Sequence, residues 1–205
     1  METLREYENK LMEDGYQFIG GVDEVGRGPL VGPVVAACCV LSRDFELDGL
    51  TDSKKLSEKK RNLFAVYIKE HAIAYGIGIV SPEEIDRINI YEASREAMKL
   101  AIAEVRSKIN LEYVLSDAMP IELDIPVLPI IKGDAKSISI AAASVIAKVT
   151  RDEMMYELDK KYPEYGFANH KGYPTKKHIE AINEYGVFEG YRKSYGPVKE
   201  IIERK

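Results

Sequence analysis

The chain has 205 residues, 45% of them apolar and 31% charged, and carries a net charge of −5. That size suits one domain, or one domain with a small appendage, and the composition is that of a globular protein, not a disordered or fibrous one. The longest apolar run, Val34 to Leu41, is far too short to span a bilayer, and the polar start Met1-Glu-Thr-Leu-Arg-Glu is unlike a signal peptide, so a cytoplasmic protein with no membrane partner is expected. Charge is unevenly placed: residues 1–129 hold 15 basic and 23 acidic side chains, residues 130–205 hold 14 and 11. The acidic total therefore does not exclude a nucleic-acid partner. Cys38 and Cys39 are neighbours in an apolar run, where strand alternation sends them to opposite faces; this argues against a disulfide framework.

In chain order, residues 3–14 read as a short amphipathic helix, with Leu4, Tyr7, Leu11 and Met12 at helical spacing. Strands are predicted over 17–22, 34–41 and 72–80, each apolar or alternating. Between the last two lies the polar loop 51–61, which opens a helix with Ser57 as its N-cap. Ser81-Pro82-Glu83-Glu84 starts a further helix, with a cap, Pro at the first position and acids in the first turn. Ile85, Ile88, Met98, Ile102, Val105 and Ile109 extend it as one apolar face. Residues 113–116 and 127–131 read as strands, each ending near an Asp; 137–160 is a long helix, 162–175 an aromatic and Gly/Pro-rich loop, and 176–184 and 198–203 closing helices. The order describes a mixed-sheet α/β layer fold. A core over 1–160 and a small helical C-terminal extension over 161–205, packed as one unit, are expected.

The richest stretch is Gly21-Val-Asp-Glu-Val-Gly-Arg-Gly-Pro-Leu-Val-Gly-Pro33. Two adjacent carboxylates at a strand end need a cation or a shared proton. A cationic side chain between two glycines lets a ligand approach bare backbone. The alternatives are a solvated acidic turn and a tight glycine turn. The stretch half-matches a P-loop, but Arg27 and Gly28 stand where Lys and Ser/Thr belong, and Asp23 and Glu24 would repel the phosphates. That reading is rejected.

Asp23, Glu24, Asp117 and Asp134 each fall at or just past the carboxyl end of a predicted strand, where α/β sheets gather ligands. Four converging carboxylates call for hard divalent cations, Mg²⁺ or Mn²⁺; no His/Cys spacing suits zinc. Taken singly, Asp117 and Asp134 read more readily as turn or cap residues, so the case rests on the set. On the 137–160 helix, Ser137, Ser144, Lys148 and Arg151 fall within about 60° of arc. They form either a stripe along a phosphate backbone or an ordinary solvated face. Tyr165-Gly-Phe-Ala-Asn-His-Lys-Gly-Tyr173 joins aromatics to basic groups, as nucleic-acid surfaces do, or pins its loop to the core through Tyr165 and Phe167.

Over nearly its whole length the chain resembles bacterial ribonuclease HII. The matching landmarks are the 21–33 stretch, Asp52-Ser-Lys-Lys-Leu56, Ser116-Asp117-Ala118, Lys132-Gly-Asp134 with Lys136-Ser137, Ala143-Ser-Val-Ile-Ala-Lys-Val149 with Arg151-Asp152, and Asn169-His-Lys-Gly-Tyr173. Ribonuclease HIII carries Gly-Thr-Gly where this chain has Gly26-Arg27-Gly28, and a sizeable N-terminal domain. The resemblance implies a ribonuclease H-like mixed sheet flanked by helices. It implies cleavage of RNA paired to DNA, including single ribonucleotides in duplex DNA, by two metal ions, leaving 5′-phosphate and 3′-hydroxyl ends. It maps the metal ligands and catalytic residues onto Asp23, Glu24, Asp117 and Asp134; of these, two-metal chemistry leads us to expect Asp23 and Asp117 as shared ligands, with Glu24 and Asp134 each serving mainly one ion. Gly26, Arg27 and Gly28 would grip the ribonucleotide and Tyr173 the next deoxynucleotide's sugar; Lys54, Ser144 and Lys148 would contact phosphates. The chain departs at Tyr191-Arg-Lys-Ser-Tyr195, where the family usually shows His-Arg and Ser-Phe. Two other classes are disfavoured: an inert duplex-binding module, which gains nothing from four carboxylates beside phosphates, and a phosphotransferase, which conflicts with the broken P-loop pattern. A monomer is expected.

Overall fold

A computed structural model describes residues 4–204 of the chain. Residues 1–3 lie outside it, and with them the first residue of the helix expected over 3–14 and part of the polar start. Helix α1 (Glu6–Glu13) leads into β1 (Ile19–Val25), which is followed by β2 (Val34–Val40), α2 (Glu58–His71) and β3 (Ala74–Val80). Helices α3 (Pro82–Ile88) and α4 (Ile90–Arg106) come next, then β4 (Tyr113–Asp117) and β5 (Val127–Ile130). The chain closes with α5 (Ile138–Lys161), α6 (Phe167–His170), α7 (Lys176–Tyr185) and α8 (Gly196–Glu203). No helix among the described residues is long and apolar enough to cross a membrane.

The five strands form one mixed sheet in the order β3-β2-β1-β4-β5. β1, β2 and β3 pair antiparallel, while β4 lies parallel to β1 and β5 parallel to β4. β2 is buried along its whole length, because helices cover both faces of the sheet. Its alternation splits the core: Val34, Ala36 and Cys38 meet α4 on one side, Ala37 and Cys39 meet α5 on the other. The two thiols thus face opposite layers, unpaired. α5 lies very close to β1. A Cβ on Gly21 would stand 2.2 Å from the Ile140 nitrogen, so glycine there is what lets the helix down onto the strand. Ala141, Ala142 and Ala143 supply the slim helix surface for the same contact.

The one long helix expected from residue 82 is two. Asn89 takes a φ of 71° with a ψ of 164°, outside the helical regions, and its side chain accepts from the Tyr91 and Glu92 amides to cap α4 afresh. The apolar period runs through the break because both helices bury the same side. The loop expected over 162–175 contains α6. Its aromatics take the core alternative: Tyr165 and Phe167 are buried, in a cluster with Leu30, Val31, Met155, Ile182, Tyr191 and Val198. That cluster joins the end of α5 and the loop after β1 to residues 165–201.

Candidate active site

Strand pairing alone brings the first two carboxylates together. Val22 lies opposite Ser116 in the parallel β1–β4 ladder, so Asp23 and Asp117, one residue on, stand side by side near the carboxyl ends of the two strands. β5 runs into a turn at 133–135, where Lys132 adopts a left-handed conformation and sends the chain back across the sheet end. The Gly133 amide donates to Asp117 Oδ1 at 2.7 Å, which fixes that turn and buries Asp134. Asp23, Asp117 and Asp134 then each offer an oxygen within 4.8 Å of the others.

Glu24 is the fourth expected member and stands outside that trio. Its Oε1 pairs with Arg27 at 3.4 Å and its Oε2 is buried without a partner among the described residues, while Asp117 still repels it. Burial, then repulsion from Glu24 and Asp117, pushes the Asp23 carboxyl well above the ordinary carboxylate range. Burial also raises Glu24, despite Arg27, and raises Asp134 with help from Asp117 and Asp52. Carboxyls driven toward the protonated state by one another, together with an orphaned buried oxygen, form a site that fits divalent cations.

One cation of the chain faces this cluster. Lys54 loses charge stability to burial, yet Asp23, Asp52, Asp134 and Asp117 together outweigh that cost and raise its pKa. The turn that carries it is fastened from below: Ser53 N–H donates to Ser144 Oγ at 3.4 Å, and Arg61 donates to the Ser53 and Leu56 carbonyls at 2.8 and 3.1 Å. Asp52 belongs to the same surroundings, and sequence reasoning missed it as a site residue; its only signal is its place in the Asp-Ser-Lys-Lys-Leu run.

The expected stripe on α5 is mostly interior. Ser137 is buried as the N-cap of the helix and donates to Glu8 of α1, whose Oε1 also accepts from the Ser139 amide. Ser144 is buried beneath the Lys54 turn, and half-buried Lys148 pairs with Asp152. Arg151 is wholly buried and donates to the carbonyls of Pro33, Lys171 and Val31 at 3.1, 3.0 and 3.2 Å. Neither a solvated face nor a row of phosphate contacts describes Ser137 and Arg151. A helical wheel places residues at an angle but says nothing about which neighbour covers them.

The Gly26-Arg27-Gly28 loop follows β1 directly. Gly26 has a φ of +94° and lies on Arg151, so a Cβ there would come 2.3 Å from Nε. Gly28 and Tyr173 are exposed and adjacent; a Cβ on Gly28 would stand 3.2 Å from Tyr173 Cε1. A second fully buried arginine, Arg192, reaches this loop from the C-terminal segment. It donates to the Gly26 carbonyl at 2.6 Å, to Arg27 at 3.0 Å and to Gly32 at 2.8 and 3.0 Å. Burial and the neighbouring Arg192 lower Arg151 to about 10, and burial lowers Arg192 as well; a guanidinium keeps its charge in proteins. Their bonds to carbonyls leave two positive charges beneath the loop. Sequence reasoning missed Arg192, although it stands in the very segment noted as a departure.

The geometry agrees with what comparison with known proteins gives. Residues 20–195 match the family described as Ribonuclease HII. Ribonuclease HII of Bacillus mycoides (strain KBAB4) is 57% identical over 201 residues, covering 98% of this chain and 77% of that protein. The protein of the same name from Bacillus thuringiensis (strain Al Hakam) is 58% identical over the same shares. Among solved structures, ribonuclease H2 from Pyrococcus horikoshii OT3 superposes with a TM-score of 0.77 at 29% identity, over 91% of this chain and 98% of that one. The ribonuclease H-like fold expected from the motifs is the one present. Acidic strand ends, a glycine-flanked arginine and whole-length similarity lead to one assignment: the chain belongs to the ribonuclease HII family, metal-dependent endonucleases of the ribonuclease H class that act on RNA/DNA hybrids.

Proposed function

We propose that this protein incises the RNA strand of RNA/DNA hybrids and cuts on the 5′ side of single ribonucleotides in duplex DNA, leaving 5′-phosphate and 3′-hydroxyl ends. The observation that carries this reading is the convergence of Asp23, Asp117 and Asp134 near the strand ends from which the Gly26–Gly28 loop departs, with Arg27 and Gly28 exposed. Asp23, Asp117 and Asp134, with Glu24 beside them, would hold Mg²⁺ or Mn²⁺ ions. When bound, the ions supply an activated water and offset charge on the scissile phosphate. No histidine competes for that role, since His71, His170 and His178 lie at carbonyls of Tyr67, Tyr165 and Tyr173.

The remaining roles fall to the chain's own groups. Gly26, Arg27 and Gly28 bring backbone close to the ribose, where the 2′-hydroxyl separates RNA from DNA. Tyr173, beside Gly28, packs on the sugar of the next deoxynucleotide. Lys54 and Lys148 contact phosphates, and Ser144 acts beneath them by holding the Ser53 amide. Residues 161–205 serve as an extension of the core, supported by the cluster they share with Leu30, Val31 and Met155.

The test is a duplex holding one ribonucleotide, incubated with Mg²⁺ or Mn²⁺ beside an all-DNA control. Incision 5′ to the ribonucleotide is expected with the wild type, and none with Asp23→Asn. Failure of incision under both metals, or equal cutting of the control, overturns the reading.

A further inference from the structure

The carbonyls of the loop after β1 converge on two side chains that no catalytic role uses. Arg192 donates to the Gly26 carbonyl at 2.6 Å and to the Arg27 carbonyl at 3.0 Å. Tyr195, three residues on, donates its hydroxyl to the same Arg27 carbonyl at 2.6 Å and accepts from Arg192 at 3.0 Å. The segment that carries both is itself tied down. Arg192 N–H donates to the Leu30 carbonyl, Gly32 N–H to the Gly190 carbonyl, and the Lys193 and Ser194 amides to the Asp86 carboxylate of α3.

A trans peptide is planar, with its N–H opposed to its C=O. Holding the Gly26 carbonyl inward therefore aims the Arg27 N–H outward, and holding the Arg27 carbonyl inward aims the Gly28 N–H outward. Among the described residues neither N–H meets a backbone acceptor. Arg192 and Tyr195 thus fix two peptide planes at the exposed loop. The grip is chemically particular: a guanidinium fork reaches several carbonyls at once, and only a phenol, not a phenyl ring, adds the second bond to Arg27.

We infer that Arg192 and Tyr195 are positioning residues for ribose discrimination, holding the Arg27 and Gly28 N–H groups toward the sugar of the ribonucleotide. The inference rests on the reading above that this loop meets the ribose. It goes beyond that reading by placing part of the specificity in residues 192–195, which act through the loop carbonyls they hold.

The experiment measures equilibrium affinity, without divalent metal, for two duplexes identical except for one ribonucleotide. Wild type, Tyr195→Phe and Arg192→Lys are compared, with melting midpoints in parallel. Tyr195→Phe is expected to keep its midpoint and its affinity for all-DNA duplex while the preference for the ribonucleotide duplex falls about three- to tenfold, the size of one lost hydrogen bond. Arg192→Lys is expected to lower the preference further; if it does not fold, Tyr195→Phe decides alone. A merely structural role would move the midpoint and both affinities together, and that result overturns the inference. So does a wild-type preference retained in the folded variants, with the underlying reading left intact. A wild type with no preference overturns the reading and this inference with it.

Discussion

Gly26 and Gly28 flank one arginine yet answer to different constraints. Gly26 combines a φ of +94° with a Cβ position 2.3 Å from Arg151 Nε, so Gly26→Ala is expected to cost about 2–4 kcal/mol of stability, read by urea unfolding. Gly28 has room in its backbone and only the Tyr173 ring edge at 3.2 Å. Gly28→Ala is therefore expected to keep its melting midpoint within about 2 °C while kcat/KM on a ribonucleotide duplex falls about tenfold or more. The carboxylates carry an opposite sign. Asp23 has a pKa raised on folding, so the native state holds protons that the unfolded chain releases; its contribution is intact at acid pH and lost as pH rises through the raised value. The metal-free protein bears that penalty at neutral pH. Asp23→Asn should then melt higher than wild type at pH 7.5 by a few degrees, about 2–4 °C per kcal/mol relieved, with the gap closing toward pH 4. Equal midpoints across that range would contradict the electrostatic account.

At the scale of elements, the site depends on how helices end. α5 begins where Asp134 sits, and Glu8 of α1 fastens that beginning through Ser137 and the Ser139 amide. Removing the carboxylate in Glu8→Ala strands these donors, an expected loss of about 1–3 kcal/mol measured by denaturation. His178 works at the far end of the same layer. Burial pushes it down to about 4, and it sits between the Tyr173 carbonyl and the Tyr191 hydroxyl. Its contribution is present above the free value of about 6.5 and is lost as pH falls from there toward 4, so acid should loosen the turn bearing Tyr173. Amide exchange at residues 172–178 would report it. The strands and most helix starts are legible in the sequence, because alternation, Ser57, Ser81 and Pro82 are local signals. The burial of Ser137 and Arg151 is not, since each depends on a partner distant in the chain, and the break at Asn89 is hidden because the apolar period runs on through it.

For the whole molecule, the carboxylates store repulsion that a bound cation relieves. Adding Mg²⁺ or Mn²⁺ is expected to raise the thermal midpoint in a concentration-dependent way, and the rise should vanish in Asp134→Asn. Motifs make the acidic set readable because strand ends gather side chains by rule; the arginines beneath the loop are unreadable, because two charges bound to carbonyls leave no pairing pattern in sequence. Their placement has a consequence for how the protein is made. Asp23, Asp117 and Asp134 leave the ribosome before Arg192 and Tyr195, and the loop carbonyls stay unfastened until residues 192–195 have emerged. A nascent chain thus holds its acidic ligands before its backbone is set. The loop after β1 therefore waits for a fastening that lies 165 residues further along the chain.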